Sequence, residues 1–158
     1  MSEAPPAVRI APAAPDCAAA LLALQKLCFR EEAELNGEYD IPPLTQTLDS
    51  LVEDLRTHTV LAAWDGDRLV GSVRARREGT VCQIGRLIVH PEHRRQGLGT
   101  ALMAAIEAAH STASEFELFT DEASARNLRL YARLGYTPFR RQKVTPRLTL
   151  VFLRKRRA

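Results

Sequence analysis

The sequence is poor in cysteine and aromatic residues and has no long apolar run, and each shortage excludes a class of protein. Its three cysteines, at positions 17, 28 and 82, are odd in number and form no C-x-x-C pair, which argues against a disulfide framework or a zinc site. No apolar run approaches the length of a membrane span, and the N-terminus does not resemble a signal peptide. We therefore expect a cytoplasmic protein with reduced thiols, no membrane association and no bound metal.

Charge of one sign is also scarce outside the C-terminus. The net charge is +3, and Arg154, Lys155, Arg156 and Arg157 alone supply four positive charges, so the rest of the chain is about neutral. We interpret this tail as a solvated end and expect residues 1–6 and 154–158 to be flexible. A nucleic-acid binder ranks as the weakest alternative, because the tail has no interleaved aromatic residues on which bases could stack.

The sequence does have enough apolar residues for one hydrophobic core. Hydrophobic residues make up 46% of the 158 residues and charged residues 26%, which is typical of a globular protein. That length suits a single domain. No repeat, low-complexity segment or linker divides the chain, so we predict one domain over residues 1–158.

Hydrophobic periodicity and turn residues predict the element order β-αα-βββ-α-β-α-ββ. The predicted helices cover about 16–35, 47–55, 97–110 and 124–134, and Ile41-Pro42-Pro43 excludes a regular helix between the first two. The predicted strands cover 8–10, 59–64, 69–76, 81–89, 116–120, 136–140 and 144–153. Hairpins give antiparallel pairs, and the strand–helix–strand unit over 81–120 gives a parallel pair. The predicted fold is α/β, with a mixed central sheet of about seven strands flanked by about four helices.

The segment from Leu87 to Met103 contains the end of an apolar strand, a basic loop with glycines and the start of a helix. The first N–H groups of a helix lack intrahelical partners, and the helix dipole makes that end partly positive. Gly97 and Gly99 would let an anion approach the backbone, and Arg94 and Arg95 add positive charge. This segment predicts a diphosphate site. It lacks the lysine of a P-loop and the third glycine of a dinucleotide-binding fingerprint.

Two motifs give this segment a family resemblance. Arg94-Arg95-Gln96-Gly97-Leu98-Gly99 matches the R-x-x-G-x-G/A signature of the Gcn5-related N-acetyltransferase superfamily, and it lies, as in that family, between a central strand and a long helix. The segment Asn127 to Tyr136 resembles the second motif of the family, an N-x-x-x-Y helix that ends in Leu-Gly-Tyr. The two motifs occur in the family's order. The resemblance is specific to the superfamily and not to one substrate.

The resemblance implies acetyl-CoA as co-substrate and a role for each motif residue. The strand end would pair with the pantetheine arm, and the backbone amides of the loop and first helical turn would bind the pyrophosphate. Asn127 would hydrogen-bond the arm near the thioester, and Tyr131 would face the sulfur and act as the general acid. Taken alone, Tyr131 would fit a core tyrosine and Asn127 a surface residue. The implied cofactor-binding residues are Leu87, Ile88, Val89, Arg94, Arg95, Gln96, Gly97, Leu98, Gly99, Thr100 and Asn127.

The sequence leaves the general base open. Many members of the superfamily have a glutamate on the central strand, where this sequence has Gly85. The carboxylates in the acceptor region are Glu31, Glu32, Glu34, Glu38 and Asp40, and a water chain is an equal alternative. The predicted acceptor-binding residues are Glu31, Glu34, Ile41 and Pro42. Together the acidic residues favour a cationic acceptor such as an amine.

The expected activity is acetyl transfer from acetyl-CoA to a primary amine of a small molecule or to an exposed peptide amine, by direct attack in a ternary complex. The alternative is a non-catalytic acyl-CoA-binding or regulatory module. The missing strand glutamate favours this alternative, whereas the retained Tyr131 and Asn127 oppose it. The late strand over 144–153 is long and apolar enough to pair with a second subunit, so a homodimer is a further expectation.

Overall fold

The computed structural model describes residues 8–157, in which seven strands form one mixed sheet in the order β1-β2-β3-β4-β5-β7-β6. The strands are β1 Arg9–Pro12, β2 Thr59–Asp65, β3 Arg68–Glu78, β4 Val81–Val89, β5 Glu115–Asp121, β6 Thr137–Thr145 and β7 Leu148–Arg156. The helices are α1 Ala18–Glu34, α2 Pro42–Thr45, α3 Leu48–Thr57, α4 Leu98–Ala109 and α5 Ala125–Arg133. The predicted mixed α/β fold and its broad element order are confirmed.

Helices pack on both faces of the sheet because alternate residues of its strands are apolar on opposite sides. On one face, Leu21 and Leu24 of α1 belong to a buried cluster with Val60 of β2. On the other face, Leu102 of α4 lies in the main core with Leu61, the next residue of β2. The core therefore consists of two layers separated by the sheet. No helix within residues 8–157 is long and apolar enough to span a membrane.

The two central strands separate along their length. β4 and β5 pair as parallel strands only between residues 81–83 and residues 115–117. Beyond this short ladder, the edge of β4 that faces β5 has no strand partner in the described part of the chain. Residues 84–89, which include the predicted cofactor-binding strand end, therefore have unpaired backbone groups beside a gap in the sheet.

A β-bulge lies in β4 beside this gap. Arg74 of β3 pairs with Gly85 and Ser72 pairs with Ile88, so a single β3 residue lies opposite both Arg86 and Leu87. Arg86 has a φ of 52°, in the left-handed region that non-glycine residues rarely adopt. Such a bulge bends its strand. We attribute the separation of β4 from β5 to this bend.

The prediction that the proline pair excludes a helix is wrong. Pro42 and Pro43 begin the one-turn helix α2, after Ile41 in an extended conformation. Proline is tolerated at the first positions of a helix because an N–H there would lack an intrahelical partner. The extra turn raises the number of helices above the predicted four.

The final hairpin differs from its predicted boundaries. β6 extends to Thr145, the turn lies at residues 146–147, and β7 begins at Leu148. β6 is exposed along almost its whole length, so no apolar pattern marked its second half. β7 lies between β5 and β6 and has no free edge, so the predicted pairing of residues 144–153 with a second subunit would have to use β6 instead.

The predicted flexible C-terminus is wrong for residues 154–156, which belong to β7 and pair with β5 or β6. Arg156 lies opposite Glu115, and Lys155 Nζ lies 3.0 Å from a carboxylate oxygen of Glu107 on α4. The Arg157 guanidinium donates hydrogen bonds to backbone carbonyls at the end of α4 and in the loop after it. The predicted flexible residues 1–6, and residue 158, lie outside the described residues.

Candidate active site

The loop that joins β4 to α4 ends in a cluster of free backbone amides. Gly97 is the N-cap of α4, with a φ of 79° and no side chain to cap the helix. Its carbonyl accepts the first helical hydrogen bond, from Ala101 N at 3.0 Å, so the amides of residues 98–100 have no intrahelical acceptor. A Cβ atom added at Gly97 would meet no atom within 4 Å. The helix start therefore borders open space and suits an anion.

Gly99 has a different structural role from Gly97. A Cβ atom there would lie 3.4 Å from Leu130 Cδ2 on α5 and 3.9 Å from Val89 Cγ2 on β4. Gly99 therefore lets the start of α4 approach α5 closely. The sequence predicts that both glycines let an anion approach, and it does not reveal this packing role of Gly99.

A cavity of about 610 Å³ extends from these amides along the unpaired part of β4. All of the predicted cofactor-binding residues line it except Gln96, which is exposed in the same loop. The cavity thus joins an anion site at one end to free strand backbone along its side. A phosphate-bearing molecule with an extended amide-containing arm fits both features.

Three arginines of α5 that were not predicted from the sequence also line this cavity. Arg126, Arg129 and Arg133 are three and four residues apart, which places them on one face of the helix. That spacing was the available signal in the sequence. Together with Arg95, they give the rim of the cavity a positive charge that favours a polyanionic ligand.

Arg94 is occupied by an ion pair. Its guanidinium donates two hydrogen bonds to the carboxylate of Glu31 on α1, at 2.9 and 3.0 Å. These hydrogen bonds lower the pKa of Glu31, which therefore stays ionised and neutralises the arginine. The pair joins α1 to the cofactor loop. Glu31, predicted to bind the acceptor, lines neither cavity, and the same is true of Glu34, which is exposed.

A second cavity of about 780 Å³ lies beyond the first and is lined by the predicted acceptor residues Ile41 and Pro42. Gly85, Tyr131 and the open base candidates Glu38 and Asp40 also line it. Four residues line both cavities: Phe29, Glu32, Leu87 and Asn127. The two cavities therefore meet at these four side chains.

Glu32 and Asn127 form a hydrogen-bonded pair at this junction. Asn127 Nδ2 donates to Glu32 Oε1 at 2.7 Å and to Thr120 Oγ1 at 3.2 Å. Burial raises the pKa of Glu32, and the nearby charge of Asp121 adds to this shift. A carboxylate with a raised pKa beside a cavity is a candidate proton acceptor. From the sequence alone, Glu32 is one of five carboxylates that could serve as the base.

Tyr131 lies on the same helix as Asn127, four residues later, and its side chain is 5% exposed. Burial raises the pKa of Tyr131 well above its usual range, and the charge of Glu32 raises it further. The ring packs edge-on against Tyr136, with 6.0 Å between the ring centroids. Tyr131 therefore stays protonated at neutral pH and can serve as a hydrogen-bond or proton donor to the second cavity.

A family model described as the acetyltransferase (GNAT) family matches residues 19–136, which include both sequence motifs and both sides of the cavity junction. The chain belongs to the GNAT family. This establishes the resemblance seen in the two motifs, and it makes acetyltransferase the general class of this protein.

Solved structures support the GNAT fold over almost the whole chain. The PaiA N-acetyltransferase of Thermoplasma acidophilum, in complex with coenzyme A, has a TM-score of 0.80 at 13% identity and covers 96% of this chain and 99% of its own. YncA of Salmonella typhimurium, solved with acetyl-CoA, has a TM-score of 0.76 at 17% identity, with coverages of 95% and 94%. The ribosomal-protein-S18-alanine N-acetyltransferase of Escherichia coli has a TM-score of 0.77 at 12% identity, with the same coverages. At identities this low, the similarity establishes the fold alone.

One curated relative matches by sequence. The UPF0157 protein YqkA of Bacillus subtilis strain 168 is 28% identical over 118 residues, which is 73% of this chain and 33% of that protein. The GNAT chain therefore spans about a third of the length of this relative.

Proposed function

We propose that this protein transfers an acetyl group from acetyl-CoA to a primary amine of a small molecule or of an exposed peptide. The main support is the meeting of two cavities at Glu32 and Asn127, with Tyr131 on the same helical face. One cavity suits a phosphate-bearing donor and the other an acceptor, so donor and acceptor could meet in one ternary complex. The coenzyme A and acetyl-CoA in the structures of PaiA and YncA support the same donor here.

The first cavity fits acetyl-CoA on features of the described chain. The free amides of residues 98–100 would bind the pyrophosphate, and the unpaired edge of β4 would hydrogen-bond the pantetheine arm. Arg129 and Arg133 would add long-range attraction to the phosphates from the rim. When bound, acetyl-CoA supplies the thioester carbonyl carbon that the amine attacks.

Glu32 is the proposed general base. The attacking amine must lose a proton, and the Glu32 carboxylate lies at the cavity junction to accept it. Because burial raises its pKa, Glu32 is a stronger base than an exposed carboxylate. Asn127 fixes its orientation through Nδ2, which leaves Asn127 Oδ1 to accept a hydrogen bond from the arm of the donor. In this protein Glu32 would replace the strand glutamate that is absent at Gly85.

Tyr131 is the proposed general acid. The departing sulfur carries negative charge as its bond to the acetyl carbon breaks, and a protonated phenol stabilises it by donating a hydrogen bond or a proton. The raised pKa of Tyr131 keeps that proton available at neutral pH. Asn127 and Tyr131 project from one face of α5, so their two roles suit a single ligand.

A thiol-release assay with acetyl-CoA and a panel of amines tests this function. Glu32→Gln should lower kcat/KM by about 10²–10⁴-fold, which is the usual rate contribution of a positioned general base. It should also remove the fall in kcat/KM at acidic pH. The rate should fall as pH drops through the raised pKa of Glu32, because the protonated carboxyl can no longer accept a proton from the amine. In the wild type, this acidic limb of the pH profile should lie above the pKa of an ordinary glutamate.

Tyr131→Phe should lower kcat while the affinity for acetyl-CoA changes little.

The matched control is Glu34→Gln, because Glu34 is on the same helix but exposed and outside both cavities. This variant should keep the wild-type rate and pH profile. An unchanged acidic limb in Glu32→Gln would remove Glu32 from the mechanism. If acetyl-CoA binds but no amine releases thiol, the non-catalytic acyl-CoA-binding module becomes the better account.

A further inference from the structure

Arg86 is a cation without a partner in the second cavity. Its side chain is half-buried and lines that cavity. Within residues 8–157, no carboxylate lies within salt-bridge distance of its guanidinium, and no hydrogen bond joins it to another group. Burial, together with the positive charge of Arg74, lowers the pKa of Arg86 to about 10. Arg86 therefore remains charged at neutral pH, in a position where a charge without a counterion is costly.

The nearest acidic group is already in use. Asp54 of α3 forms a salt bridge with Arg74 of β3 and also accepts a hydrogen bond from Gln46. Arg74 and Arg86 thus share a single carboxylate that is paired with Arg74. The wall of the cavity formed by β3 and β4 therefore has one uncompensated positive charge, which an anionic ligand group could neutralise.

The bulge in β4 lies in the wall of the second cavity. Arg86 and Leu87, the two bulged residues, both line this cavity, as do residues 83–85 before them. Leu87 also borders the junction with the donor cavity. Arg86 thus precedes a junction residue in sequence and lines the same cavity as Glu32, the proposed base.

The opposite wall of the same cavity is acidic. Glu32 and Asp121 line it, and their charges are close enough for Asp121 to raise the pKa of Glu32. The third part of the lining is aromatic, with Phe119 and Phe139 each packed against Phe152 at centroid distances of 5.3 and 6.5 Å. The cavity therefore offers an acidic site, a cationic site and an apolar surface around one space.

We propose that the acceptor is a free amino acid with an apolar side chain, whose carboxylate binds Arg86 while its amine faces Glu32. This inference rests on the proposed acetyltransferase function. An arginine guanidinium binds a planar carboxylate through two parallel hydrogen bonds, which would neutralise Arg86 and orient the amine. The aromatic lining would contact the side chain of the acceptor.

The test compares acceptors that differ only in the carboxylate. Thiol release from acetyl-CoA is measured with the twenty common L-amino acids, with the carboxamide of each one that reacts, and with simple alkylamines and peptide amides. The wild type should acetylate apolar amino acids with a kcat/KM at least about tenfold above that of the matched carboxamide. Arg86→Gln should raise KM for the amino acid by about 10- to 100-fold, with a smaller change in kcat and little change for the carboxamide.

Two further variants keep the result interpretable. Arg86→Lys retains the charge without the bidentate geometry, so its KM for the amino acid should lie between those of the wild type and Arg86→Gln. Arg77→Gln changes an arginine of β3 that lines neither cavity and should leave both substrates unaffected. A thermal melt of each variant checks folding, and Arg86→Gln should melt no lower than the wild type because its guanidinium lacks a partner.

The outcomes separate this inference from the proposed function. If amines without a carboxylate react as well as amino acids, or if Arg86→Gln loses as much activity on the carboxamide as on the acid, the amino-acid inference is wrong and the acetyltransferase function stands. If no amine of either kind releases thiol, both are wrong.

Discussion

The Glu32 carboxylate accepts a hydrogen bond from Asn127, and its charge raises the pKa of the buried Tyr131. The raised pKa of Glu32 means that the folded protein disfavours the ionised form relative to the unfolded chain. The cost is absent at low pH, where the carboxyl is protonated in both states. The loss of folding stability develops as pH rises above the pKa of an ordinary glutamate, and it is complete above the raised pKa of Glu32. The burial that makes Glu32 the proposed base thus opposes stability.

We therefore expect Glu32→Gln to stabilise the protein while it lowers activity. At pH 7 the free energy of unfolding should rise by about 0.5–2 kcal/mol, the common range for a stabilising substitution at a functional site. The gain should vanish near pH 4, where the carboxyl has lost its charge. Urea denaturation at both pH values measures this difference. A variant less stable than the wild type at pH 7 would mean that Glu32 contributes to stability and is not a strained functional group.

At the residue scale, the sequence predicted the glycine-bearing start of α4 and the face shared by Asn127 and Tyr131, because both depend on spacing within one helix or loop. It could not choose among Glu31, Glu32 and Glu34. Successive residues of a helix point about 100° apart, so the choice depends on the rotation of α1 against the sheet. In the structure, Glu31 pairs with Arg94, Glu32 lies at the cavity junction, and Glu34 is exposed.

At the element scale, the charged C-terminal residues complete both β7 and α4. The sequence predicted a solvated tail because a run of like charges is usually solvated. Here each charge has a local partner: Lys155 pairs with Glu107, and Arg154 lies over the ring of Phe139 with its Cζ 4.8 Å from the centroid. Arg157 donates to the carbonyls of Glu107 and His110 at the end of α4, and each of these also accepts one backbone hydrogen bond.

Deletion of residues 154–158 should therefore destabilise the protein by at least about 2 kcal/mol, since it removes strand pairing and several charge-assisted hydrogen bonds. Urea denaturation of the truncated chain measures the loss. The control is Arg156→Gln, because the Arg156 side chain is 78% exposed and its contact with Glu115 is long, at 3.6 Å. This control should change stability little. If the urea midpoint of the truncated chain equals that of the wild type, the tail is solvated as the sequence predicts.

At the scale of the whole molecule, function depends on a defect in an otherwise continuous sheet. The antiparallel hairpins and the parallel pair of β4 and β5 could be predicted, since hairpins and a strand–helix–strand unit leave few alternatives, but the position of β7 between β5 and β6 could not. The separation of β4 from β5 was not predicted, because a single strand glycine, Gly85 beside Arg86, is only a weak signal of the bulge. The two cavities and their meeting point follow from that separation.

The central claim is that the free amides at the start of α4 and the open edge of β4 form the donor site. Isothermal titration calorimetry of the full chain with acetyl-CoA tests it most directly, with Gly97→Glu as the variant that adds bulk and negative charge at the open helix start. We predict saturable binding of acetyl-CoA that free coenzyme A competes for, and at least a tenfold weaker affinity in Gly97→Glu. Absence of binding to the wild type, or equal affinity in the folded variant, would contradict the account.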